Sequence, residues 1–123
     1  MQTREFDRWL ATLGPDRRAA VTGAVRRVVA DGPTLGRPRV DTLRGSRVAK
    51  LKELRVDRGT RVLFAFDSRR RPVMLTGGDK TGTWNRWYPG AIRTAERLYA
   101  DHERRIGREA TWSSRRRAPA RGR

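Results

Sequence analysis

The 123-residue chain has no cysteine and a single histidine, His102. Disulfides, thiolate ligands and a histidine-rich zinc site are therefore excluded, and any reaction is expected to run without a metal or other cofactor. Acidic residues are scarce: 13 Asp and Glu face 30 Lys and Arg, a net charge of +17, so the partner is expected to be acidic. No stretch approaches the roughly 18–20 apolar residues of a membrane span. The opening MQTREFDRWL also lacks the apolar core of a secretory signal, which predicts a cytoplasmic protein with no membrane partner. Only 36% of residues are hydrophobic and the mean hydropathy is −0.84. A chain this short makes one domain, so either its core is small or part of the sequence stays outside it.

The placement of charge favours the second. Residues 104–123 hold eight arginines and one glutamate, a net +7, in RRIGREATWSSRRRAPARGR. That segment has no apolar periodicity, and the reading divides the chain into a domain over 1–106 and a basic, disordered tail over 107–123. The tail is either a solvated run or an arm that adds nonspecific phosphate contacts.

Periodicity gives the elements. Phe6, Trp9, Leu10 and Leu13 recur at helical spacing behind Thr3 as N-cap. After Gly14-Pro15, a second helix is predicted to bury Ala20, Val21, Ala24, Val25, Val28 and Val29, ending at Asp31-Gly32-Pro33. From Val48 the period shortens, and runs around Leu51–Val56, Val62–Phe66 and Val73–Leu75 read as three strands of an antiparallel meander. The middle run is apolar on both faces and belongs in the centre. Helices are expected on one face of the sheet, with the other open. A glycine-rich loop, Gly77–Thr83, precedes a last helix with Pro89 in its first turn and an apolar stripe ending near Ile106. The predicted class is α+β: two N-terminal helices, a meander of three or more strands, and a C-terminal helix.

Chemistry concentrates in the strands. Between Arg44 and Arg71 ten Lys and Arg face three acids, a net +7 in a sheet where like charges repel across strands, which suggests an anionic ligand. Outward-pointing solubilising arginines are the alternative. Arg55 in LKELRV and Arg61 in TRVLFAF stand among core-forming residues and are the leading candidates. Lys80 lies in the glycine-flanked loop, which is not a P-loop because Asp79 and Met74 occupy the places its glycines need. Arg44, Arg47, Lys50, Arg58 and Arg86, interleaved with Trp84 and Trp87, form a basic, aromatic strip suited to single-stranded RNA. One of these tryptophans is expected in the core.

LRGSRVAKLKELRV, GTRVLFAFD, PVMLTGGDKTGTWNRWY and AIRTAERLYADH, in this order and spacing, together with EFDRWLATL near the start, resemble the RelE/ParE superfamily of type II toxins, HigB-type branch. The resemblance covers about 100 residues and implies a RelE-like fold whose basic face cleaves mRNA in the translating ribosome. It also implies a cognate helix-turn-helix antitoxin, with operator DNA bound only through that antitoxin. Position by position it implies that Arg55 and Arg61 act on the scissile phosphate and that Lys80 and Tyr88 join them. Lys52 is added as a proton carrier, alongside Glu53, Asp79, Lys80 and Tyr88, since arginine cannot easily give up its proton. The family often has a strand before the first helix, for which two residues ahead of Thr3 leave little room, and the catalytic histidines of some relatives have no counterpart. A gyrase poison, as in the ParE branch, and a nonenzymatic nucleic-acid binder are the competing readings.

Overall fold

Thr3 starts the first helix, α1 (Arg4–Ala11), by accepting the Phe6 N–H on its hydroxyl at 3.0 Å. The computed structural model describes residues 1–34, 36, 39–43, 46, 51–79 and 84–121, with α3 side chains described from 86 to 111. Gly14 and Pro15 open α2 (Pro15–Asp31), which ends at Gly32 with φ 62°, a left-handed conformation that favours glycine. Strands β1 (Val40–Thr42), β2 (Lys52–Arg55), β3 (Thr60–Phe66) and β4 (Pro72–Asp79) follow, then α3 (Trp84–Arg121). The sheet is antiparallel in the order β1-β2-β3-β4. Its four strands fall within the three or more expected; β1 is the one not read individually, because a three-residue run such as Val40–Thr42 carries no readable alternation. No described helix is long and apolar enough to cross a membrane.

Both faces of the sheet are covered, not one. Val62, Phe64, Leu54 and Met74 pack under α1 and α2 with Phe6, Val21 and Val28. Leu51, Leu63, Ala65, Val73 and Leu75 pack under α3 with Ile92, Ala95, Leu98 and Tyr99. A central strand apolar on both faces requires this, since leaving one open would expose about 25 cal/mol of transfer free energy per Å2. Val29, predicted in the core, is 59% exposed; it lies one residue past the buried Val28 and so points away from the sheet.

Gly77 and Gly78 belong to β4 rather than to a loop. Each makes room for a tryptophan on an opposite face: a Cβ at Gly77 would strike the Trp9 ring, and one at Gly78 the Trp87 ring. α3 begins at Trp84, five residues before Pro89. Trp87 and Tyr88, packed on the sheet, hold a turn that propensity alone would not. The helix also continues to Arg121, past the point where the apolar stripe ends; its last buried described residue is Ile106. Ahead of α1, Gln2 makes a single parallel bridge to Met74 at the β4 edge.

The far end of β3 is tied to α3 by Asp67. Its carboxylate accepts the backbone N–H groups of Arg69 and Arg71 (2.9 and 2.8 Å) and Arg71 Nε (3.0 Å), and pairs with His102 Nε2 at 2.9 Å. Burial raises the Asp67 pKa, but these bonds outweigh it and hold it at about 2. The lone histidine is thus a structural partner.

Candidate functional site

At the opposite end of the α3-covered face, β2 and β3 place Arg55 and Arg61 directly across from one another. Glu53, two residues before Arg55 and so on the same face, relieves the repulsion. Its Oε1 accepts from Arg55 Nε at 3.2 Å and lies 3.4 Å from Arg61 Nε. On the edge strand Asp41, the register partner of Glu53, puts Oδ2 3.5 Å from Arg55 Nη2. Two carboxylates and two guanidiniums therefore neutralise each other across three strands.

The two arginines differ in access. Arg61 is 6% exposed and anchored by Nη1, which donates to the Asp57 and Thr60 carbonyls. Its Nε is buried within ion-pair distance of Glu53 yet lacks hydrogen-bond geometry. The Arg55 side chain is 42% exposed. Tyr88 on α3 closes the group, with Glu53 and the Arg61 guanidinium both acting on its phenol. Burial, then the bond and charge of Glu53, push the phenol up to about 12 against the pull of Arg61. At neutral pH Tyr88 is a donor and not a base.

These groups open onto a cleft of about 250 Å3 lined by Asp41, Leu43, Glu53, Arg55, Tyr88 and Ile92. The walls offer a carboxylate to take a proton, a guanidinium to meet an anion and a phenol to donate. Among the described residues no cluster of three His, Asp or Glu is gathered as a metal site would need.

Of the candidates read from sequence, Arg55, Arg61 and Tyr88 come together here. Lys52 does not: it pairs with Phe64 and follows the alternation to the α1–α2 face of the sheet. Arg58 is exposed in the β2–β3 turn, and Arg86 is exposed on the first turns of α3. Trp87 packs against the core and edge-on to Tyr88, with ring centroids 5.0 Å apart, so it is the core tryptophan. Arg44, Arg47, Lys50 and Lys80 lie outside the described residues, as does the Trp84 side chain. Sequence reasoning kept Glu53 as only one of several proton carriers and passed over Asp41. The signal for Glu53 was present in the alternation Leu51, Glu53, Arg55, which puts an acid beside the leading arginine on one face.

A family model for phage-derived Gp49-like proteins (DUF891) matches residues 8–100, a span that includes every residue of this cleft. A Mycobacterium tuberculosis protein named "Putative toxin HigB3" is 45% identical over 93 residues, covering 75% of this chain and 82% of that protein. The chain belongs to the Gp49-like, HigB-type family. A second M. tuberculosis member, "Putative toxin HigB2", is 42% identical over 98 residues, 76% of this chain and 49% of that longer protein. The HigB-type resemblance read from the sequence is borne out.

Proposed function

We propose that this chain is the toxin of a type II toxin–antitoxin pair, held inactive by a cognate helix-turn-helix antitoxin, and that it cleaves ribosome-bound mRNA without a metal. The relatives' names support the toxin reading. The chemical reading is carried by one observation: Glu53, a carboxylate flanked by two arginines and a tyrosine, lines an open cleft.

RNA supplies its own nucleophile. Glu53 takes the 2′-hydroxyl proton, the 2′-oxygen bonds to phosphorus, and the bond from phosphorus to the 5′-oxygen breaks. The products are a 2′,3′-cyclic phosphate and a 5′-hydroxyl, the latter protonated from water at the cleft mouth, and the hydroxide that remains takes the proton back from Glu53. Arg55, the accessible cation, stabilises the charge that develops on the phosphoryl oxygens. Tyr88 donates from the α3 side. Arg61, buried behind Glu53, is a positioning residue: it fixes the carboxylate rather than touching RNA.

Induced alone, the protein should stop growth and cut transcripts, leaving cyclic-phosphate ends. Intact RNA with broken DNA would point instead to gyrase. Salt-sensitive binding with no product would reduce the protein to a nonenzymatic binder.

A further inference from the structure

A second hollow lies on the other side of Arg55. This groove of about 310 Å3 runs between α2 and the end of β2, with Ala20, Gly23 and Ala24 on one wall and Leu54 and Val56 on the other. Arg27 and Arg39 join Arg55 around it, and no acidic side chain lines it. Among the described residues neither Arg27 nor Arg39 has an ion-pair partner.

Gly23 has no use inside the fold. Glycine weakens a helix interior relative to alanine. Here its backbone is not left-handed, and a Cβ would meet nothing within 4 Å. Its missing side chain keeps the groove wide. Small apolar walls suit an apolar side chain, and the two unpaired cations, Arg27 and Arg39, select carboxylates around it. Nucleic acid fits less well, since no aromatic ring lines the groove for a base to stack on.

We infer that an acidic segment of the cognate antitoxin docks in this α2–β2 groove, seating an apolar side chain against Gly23 and pairing its carboxylates with Arg27 and Arg39. The inference rests on the toxin reading above. Arg55 lines both the groove and the cleft. Its guanidinium is held by Glu53 and Asp41 on the α3 face, so an occupant of the groove sits beside the cleft without entering it.

The probe is the protein from a library of the source genome that restores growth when coexpressed with the wild-type chain. Its affinity is measured for the wild type, Gly23→Phe and Arg39→Glu, with melting temperatures and RNA cleavage recorded for each. Gly23→Phe should stay folded and toxic yet escape neutralisation, its affinity about 100-fold lower as a filled anchor pocket requires. Arg39→Glu should lose about 10-fold through like-charge contact. Unchanged affinity in both variants overturns the inference while leaving the toxin reading intact. Loss of RNA cleavage in folded Gly23→Phe also overturns it, by giving the groove to RNA. A wild-type chain that arrests nothing fails the toxin reading itself.

Discussion

Asp67 and Glu53 lie toward opposite ends of the face that α3 covers, and each is held by a side chain of that helix. α3 runs alongside β3, so that Tyr88 meets the start of the strand and His102 its end, 14 residues or about 21 Å further on. At Asp67 every partner is in hydrogen-bond geometry and the side chain is wholly buried. At Glu53 the Arg61 Nε is left without a good bond, Arg55 is half exposed, and a cleft opens beside the carboxylate. A closed carboxylate cluster ties elements together. An open one keeps charge available for a ligand, which is why the two should respond oppositely to mutation.

The sharpest break in that contrast is Glu53→Gln, which keeps the shape and removes the base. Cleavage of ribosome-bound mRNA by the folded variant should fall about 1,000-fold, with some loss of melting temperature because the buried Arg61 loses its charged partner. At the other end Asp67→Ala strips His102 and Arg71 of their buried partner. Urea unfolding should show a loss of about 3 kcal/mol, with the folded fraction cleaving at the normal rate. Arg55→Ala should slow single-turnover cleavage about 100-fold and change stability little, because its side chain is already half in water.

Acid separates the clusters as well. The Asp67 pKa is lowered from 3.8 to about 2 in the folded chain, so its stabilisation is complete above about pH 4 and is lost as pH falls through 2. Denaturant melts over that range should lose about 2 kcal/mol in the wild type and distinctly less in Asp67→Asn. The smallest effect expected is on Gly78→Ala, which drives the Trp87 ring off β4. It should cost about 1–2 kcal/mol and reduce cleavage modestly through the neighbouring Tyr88.

Much of this architecture was legible because the hydrophobic period is clear. Thr3 as N-cap, Pro15 and Gly32 at the ends of α2, and the doubly apolar β3 all stand where local chemistry requires. The misses have physical causes. β1 is three residues long, below the length at which alternation is readable. Gly77 and Gly78 read as loop because glycine is rare in strands, yet here two tryptophan rings press on the backbone and only glycine fits. For the site, charge density pointed to the right strands, but strand parity decides which residues meet. Parity puts Glu53, Arg55 and Arg61 on one face and Lys52 on the other. The net +7 between Arg44 and Arg71 suggested a bound anion; within the fold, Glu53 and Asp41 already supply two carboxylates.

The central claim is that Glu53 serves chemistry and Asp67 serves stability. Glu53→Gln and Asp67→Asn should be assayed side by side for cyclic-phosphate ends on ribosome-bound mRNA, at a temperature where circular dichroism shows both folded. Loss of product in Glu53→Gln with wild-type rates in Asp67→Asn is the predicted result. Equal activity in the two variants, or product from Glu53→Gln at the wild-type rate, would contradict it.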